Sequence, residues 1–308
     1  MRKIIFYIIT IFFYLNVFAQ QEPLFSQYYI NDMAFNPAVS GSKMYNPLTI
    51  QTRQQWLGFE GAPLTSNISY HGALNNRSAI GGYLMFDKGV PNTQANLHMN
   101  YAYHIPLDYD EVNLSFGIGA KVMYHNLDFD SNDLPTNYDP AFSAKSYDKI
   151  LGDASFGVYV YGRNFYSGFS ITNMLQSSFN TAVATSPYPN SEYRNYYGMG
   201  AYRFNIMNND WQIEPSFRIS KMQFQSSITD LSTRVLYLED HWAGLSFRTN
   251  GTAIFALGTG LNDMHISYSY DHTFAGEIMQ HTYGTHELGI TFRIKTIATD
   301  RHIGFWGY

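Results

Sequence analysis

The sequence has no cysteine, few charges and, past its first residues, no long apolar run. Each absence narrows the possibilities. Without cysteine an exported chain has no disulfide and no lipidation site, so its stability rests on hydrogen bonds and burial. Charged residues make up only 14% of the chain, against roughly 25% in ordinary soluble domains. The 19 basic and 24 acidic side chains include no basic run, which excludes nucleic acid, whose phosphates need clustered Lys and Arg. No stretch of about 20 apolar residues comes after the N-terminus, so a polytopic helical membrane protein is excluded. Disorder is excluded as well, because 45% of the residues are hydrophobic and 17% aromatic, ample to bury a core.

The first segment reads as an export signal. Arg2 and Lys3 precede an apolar stretch over residues 4–15, and Val17-Phe18-Ala19 supplies a cleavage site. Cleavage is expected after Ala19, and the apolar stretch is too short to serve as a span.

Alternation dominates the rest of the chain. In residues 112–124 Leu114, Phe116, Ile118 and Val122 alternate with Asn113, Ser115, Gly117 and Lys121. The same period of two sets Leu97, Met99, Tyr101 and Tyr103 against Asn96, His98 and Asn100, and Ile213, Phe217 and Ile219 against Glu214, Ser216 and Arg218. It recurs where Leu288, Ile290, Phe292 and Ile294 oppose Glu287, Gly289, Thr291 and Arg293. This is the signature of two-faced strands. Many runs reach the roughly 9–11 residues a tilted strand needs to cross a bilayer, beyond the usual 5–6 of globular strands.

End to end, the runs predict an antiparallel transmembrane outer-membrane β-barrel of about 14 strands over residues 48–296, an even count as bacterial barrels require. Residues 1–19 form the signal, 20–47 a non-barrel segment at the periplasmic rim or plugging the lumen, and 297–308 a tail. Every second connection is brief: 75–77, 106–110, 163–164, 206–209, 239–240 and 262–263. The alternate set includes the two longest, 126–151 and 174–193, and one tight turn, Asn250-Gly251. Short periplasmic turns and long outer loops are the membrane-barrel pattern. A soluble sandwich or barrel shares the period with its faces reversed; strand length, export signal and loop parity favour the membrane.

Chemistry is sparse. No nucleophile elbow, His-Glu-x-x-His, P-loop or dinucleotide fingerprint is found, so no enzyme activity and no cofactor are expected. His265 and Ser267 share a strand face, as a barrel hydrolase would need, yet simple lumen-facing alternation explains them as well. Asp128, Asp130, Asp133 and Asp139 crowd one long loop, where oxygen ligands for calcium compete with a solvated acidic loop. His272, His281 and His286 fit no zinc spacing, and no metal is assigned. The candidate lumen face carries Arg53, Lys121, Glu214, Arg218, Arg248, Asp271, Glu287 and Arg293. Buried charges of both signs must pair across the interior or meet water.

Two segments carry a family resemblance. Phe25-Ser26-Gln27-Tyr28 through Asn36-Pro37-Ala38, and Arg53-Gln54-Gln55-Trp56-Leu57-Gly58-Phe59, resemble the PorP/SprF family of outer-membrane proteins of the Bacteroidetes type IX secretion system. The likeness continues through Leu114-Ser115-Phe116-Gly117, Tyr268-Ser269-Tyr270-Asp271 and His286-Glu287-Leu288. It implies a non-enzymatic barrel supporting export and surface attachment of a large secreted adhesin used in gliding. The implied partners are outer-membrane lipid, the adhesin or its C-terminal domain, and periplasmic components of the machinery.

From the residues alone, Phe25, Tyr28, Tyr29, Phe35, Asn36 and Pro37 precede the first strand without period, and their aromatic rings are costly to leave in water. They should pack on the lumen or the periplasmic rim. In the long loops, Tyr138, Phe142, Tyr147, Phe179 and Tyr188 are candidate anchors for a secreted partner, unless these loops fold over the barrel mouth. The competing function is a diffusion or uptake channel for a small solute.

Overall fold

The structure, a computed structural model, describes residues 24–90, 92–108, 112–128, 146–179, 190–206, 210–274 and 281–295. Its strands are β1 (Asn46–Gln54), β2 (Leu64–Ala73), β3 (Ser78–Lys88), β4 (Asn92–Asp108), β5 (Val112–Asp128), β6 (Ser146–Gly162) and β7 (Phe165–Thr172). A two-stranded ribbon, β8 (Ser178–Phe179) and β9 (Asn190–Ser191), precedes β10 (Asn195–Tyr202) and β11 (Phe204–Ile206). The wall continues through β12 (Trp211–Met222), β13 (Ile228–Tyr237), β14 (His241–Arg248), β15 (Thr252–Leu261), β16 (Met264–Thr273) and β17 (Thr285–Ile294). Each wall strand pairs antiparallel with its neighbours, β1 pairs with β17, and β10 bridges β7 to β12. With β10 and β11 forming one stave interrupted at Arg203, the sheet closes as a 14-strand barrel.

The pleat sorts side chains by face, and here the apolar face points outward. Ile118 is 60% exposed and Phe116 39%, whereas Ser115 between them is fully buried. Ile68, Leu97, Met99, Leu231, Leu245, Phe255 and Leu257 are likewise exposed, while Asn67, Asn96, Ser232, Ser246 and Ser269 are buried. In water this would be ruinous; in lipid it is the required order. At one rim Tyr202 and Phe204 lie 4.6 Å apart and Trp211 and Tyr237 4.7 Å apart between ring centres, a girdle suited to the headgroup level.

Connections sort as well. At one end lie 74–77, 109–111, 163–164, 207–210, 238–240 and 262–263; at the other lie 55–63, 89–91, 129–145, 173–194, 223–227, 249–251 and 274–284. The first is called the inner end here and the second the outer, after the asymmetry of membrane barrels. The 249–251 turn is tight, with Gly251 at φ +83°.

Most boundaries fall within about two residues of those the sequence predicts, β1 opening at Asn46 rather than at 48, and two differ by more. Residues 106–108 belong to β4, which passes Pro106 with a register shift rather than ending there; a proline without N–H is tolerated at such an irregularity. The expected loop 126–151 shrinks to 129–145, because Asn126 pairs with Asp148 and Leu127 with Tyr147. Polar side chains hold this extension: Asp148 accepts from Tyr124 at 2.9 Å and from Asn126 at 2.5 Å.

Candidate functional site

Residues 24–45 lie inside the barrel. The segment has two single turns of 3-10 helix, Asp32–Ala34 and Pro37–Val39, and its side chains form the centre of the apolar core. Phe25, Tyr28, Tyr29, Met33, Phe35, Ala38 and Val39 are buried with Tyr83, Tyr159, Tyr161, Tyr166, Tyr197 and Trp242 of the wall. Tyr29 stands edge-on to Trp242 at 5.4 Å, and Phe35 packs 5.5 Å from Tyr197. Burial raises the Tyr28 hydroxyl above its ordinary range despite its hydrogen bonds to two serines and the nearby Arg218, and it raises Tyr29 likewise. Both rings therefore stay neutral, and Tyr28 bonds Ser216 at 2.9 Å and Ser232 at 3.3 Å.

Glycines on the wall make the room. A Cβ at Gly117 would fall on the Pro37 carbonyl carbon and the Ala38 amide, and one at Gly157 on the Asn36 side chain. At Gly168 it would come within 2.8 Å of both Asn36 Nδ2 and the Tyr159 ring. Asn36 is thereby seated: its Nδ2 donates to the Val158 carbonyl at 3.1 Å, and its Oδ1 accepts from the Ala38 amide at 3.0 Å, capping the second turn. Further down, the Gly41 amide donates to His71 Nδ1 at 2.9 Å, and His104 Nε2 bonds the Ser40 carbonyl at 2.9 Å.

The lumen charges resolve into pairs, as their burial requires. Arg53 reaches Asp271 at 2.8 Å and Glu287 at 3.2 Å, and it donates to Ser26 Oγ at 2.6 Å. Ser26 Oγ in turn donates to Asp271 at 2.6 Å, while the amides of Ser26 and Gln27 donate to the two oxygens of Glu287 at 2.8 and 3.1 Å. Asp230 is shared by Arg218 and Arg248, each at 2.6 Å. Glu214 is shared by Arg203 at 3.1 Å and by Arg234. The guanidinium groups also lie over plug rings, Arg218 at 4.7 Å from both Tyr28 and Phe35 and Arg234 at 4.0 Å from Tyr29. Wall charges thus clamp the plug as well as one another.

Two of the eight named charges stand apart. Lys121 donates to Asn173 Oδ1 at 2.6 Å and lies 3.8 Å from Glu192, which also meets His125 at 3.2 Å. This group anchors both ends of the 173–194 connection into the wall. Burial works against the Glu192 carboxylate, yet the His125 hydrogen bond and the Lys121 charge hold it below its ordinary range. Asp153 helps from β6, accepting the Leu175 amide at 2.9 Å. Arg293 sits at the inner end, 2.7 Å from the half-exposed Asp240.

The remaining candidates separate. His265 bonds the Asp240 carbonyl at 3.0 Å and stacks parallel to Trp242, whereas Ser267 donates to the Gly289 carbonyl at 3.5 Å. His286 bonds Tyr268 at 2.6 Å, and His272 packs on Phe274. Among the described residues no group of three or more His, Asp or Glu could hold a metal. Tyr138, Phe142 and Tyr188, like Asp130, Asp133 and Asp139, lie outside the described residues; Asp128 closes β5, Tyr147 lies in β6 and Phe179 in β8.

Sequence reasoning missed several ion-pair partners, Arg203, Asp230, Arg234, Asp240 and Glu192 among them. Asp230, Ser232 and Arg234 share the buried face of β13 with period two, so the alternation that exposed Glu214 and Arg218 also contains them. Arg203 at an interruption and Glu192 in a connection carry no period to find.

A family model described as type IX secretion system membrane protein PorP/SprF matches residues 17–292. No curated protein matches the chain in sequence. Among solved structures, the toluene transporter TbuX of Ralstonia pickettii is similar, with a TM-score of 0.53 at 9% identity over 86% of this chain and 93% of that one. The monoaromatic hydrocarbon channel CymD is similar at a TM-score of 0.52 and 11% identity, again over 86% and 93%. At such identities the likeness is one of fold.

Proposed function

Because the chain belongs to the PorP/SprF family of type IX secretion system membrane proteins, we propose that it is a plugged outer-membrane barrel that supports export and surface attachment of a large secreted adhesin-type partner. It works by docking, without catalysing a reaction, and its outer connections, including 129–145 and 173–194, meet the partner or its C-terminal domain. Periplasmic components of the machinery engage the inner turns. The observation that carries this reading is the occupied lumen. Ion pairs and glycine-cut packing hold residues 24–45 against the wall, which favours a docking platform over a channel for small solutes.

The test replaces residues 180–189 by a tight turn, leaving the Asn173 and Glu192 anchors intact. The barrel should remain inserted and heat-modifiable on gels while the surface partner is released into the medium. Unchanged partner retention at normal barrel abundance removes that connection from the docking surface. In planar bilayers the intact protein should show no steady conductance; a stable open pore would support the channel instead.

A further inference from the structure

We propose that the plug is threaded from outside, so that the mature chain ahead of Leu24 emerges at the outer mouth of the barrel and is reachable from the cell surface. This goes beyond the docking reading and does not depend on it. The direction of the segment carries it. Leu24 shares a small cavity with Asn195, Met222, Gln225, Ser226 and Ile228. Asn195 opens β10, Met222 closes β12 and Ile228 opens β13, so all lie at or beyond the outer rim. Ser26 comes next, and its partners Arg53, Asp271 and Glu287 occupy the outer ends of β1, β16 and β17. Tyr28 and Tyr29 meet Ser216, Ser232 and Trp242 deeper in the wall. Ser40 and Gly41 meet His104 and His71 near the inner ends of β4 and β2. Asn46 then starts β1 at the inner rim, with its side chain against Gly72.

The segment therefore runs from the outer mouth to the inner rim, against the direction a leader entering from the periplasm would suggest. Retreat is blocked by geometry. From Leu24 back to Glu22 the chain reaches at most about 7 Å, far less than the roughly 25 Å apolar band of a membrane barrel, and the lumen beneath is filled by the plug itself.

The absence of native cysteine makes the test direct. Glu22→Cys, Asn250→Cys in an outer turn and Asn76→Cys in an inner turn are compared in the full-length protein on intact cells, with a membrane-impermeant maleimide and with denatured samples as the total. The Glu22→Cys variant should label with the Asn250→Cys variant, to at least half of its denatured total, while the Asn76→Cys variant stays below a tenth. Labelling of Glu22→Cys only after the cells are broken, together with Asn76→Cys, or only after denaturation, overturns the proposal. So does labelling of Asn76→Cys alone on intact cells, which would invert the barrel. An epitope inserted between Gln21 and Glu22, read by antibody on intact cells, checks the same point without a thiol: surface staining supports the proposal, and staining confined to lysed cells overturns it.

Discussion

Arg53 and Ser26 meet at 2.6 Å inside the barrel, the guanidinium of the first wall strand donating to a hydroxyl of the plug that precedes it. The same guanidinium is the cation facing Asp271 and Glu287, so one side chain joins the plug, the first strand and the last two strands at the closing seam.

Arg53→Met leaves two buried carboxylates without their cation, and removing one partner of a buried pair costs about 3–5 kcal/mol. The variant should lose heat-modifiability at a lower temperature and expose the plug to protease. Pairing it with Glu287→Gln should restore part of the loss, because a buried neutral amide costs less than a buried charge. A double variant as weak as the sum of its parts would show that the pairs do not couple.

Gly117→Val places a branched side chain where the Pro37 and Ala38 backbone lies. The wall strand tolerates valine, so the plug should give way first: the barrel stays inserted while conductance appears in bilayers. Gly198→Ala is the control, since nothing lies within 4 Å of a Cβ there, and its effect should stay within about 0.5 kcal/mol.

Ile118→Arg sets a charge on the exposed outer face and should cost about 2–4 kcal/mol if it lies near the membrane midplane, read from urea unfolding in lipid vesicles. A variant as stable as the parent would remove lipid from that face.

Glu192 ties its connection to pH. Its carboxyl is held below the ordinary value of 4.5, so the anchor's contribution is complete above that value and fades as pH falls through the lowered one. Pepsin cleavage within 173–194, divided at each pH by the rate on an unfolded reference substrate, should thus stay low at mild acidity and accelerate only below pH 4.5. Glu192→Gln should abolish this acceleration.

The barrel was legible because lipid inverts the usual pattern without erasing it. Phe116 and Ile118 against Ser115 give the period, and the period gives strand, face and count; the seventeen-residue β5 was underestimated because, beyond the bilayer, Asn126 and Asp148 pair without needing an apolar side. The plug was harder. Phe25, Tyr28, Tyr29 and Phe35 announce burial by their chemistry, but not which strand receives them, since Ser26 to Asp271 spans 245 residues and no local rule reaches that far. Arg203 and Glu192 were invisible for the same reason: each is defined by a partner, not by a pattern.

Asn36, Pro37 and Ala38 rest where Gly117, Gly157 and Gly168 leave no side chain, and this fit has a meaning on the scale of descent. Three strands in the middle of the chain and one tripeptide near its start are locked into a common history. A lineage that gains a methyl group at Gly157 must shorten residue 36 or shift the turn that carries it. Substitutions at these distant positions should therefore arrive together when sequences of this architecture diverge, while Gly198, facing open space, drifts freely.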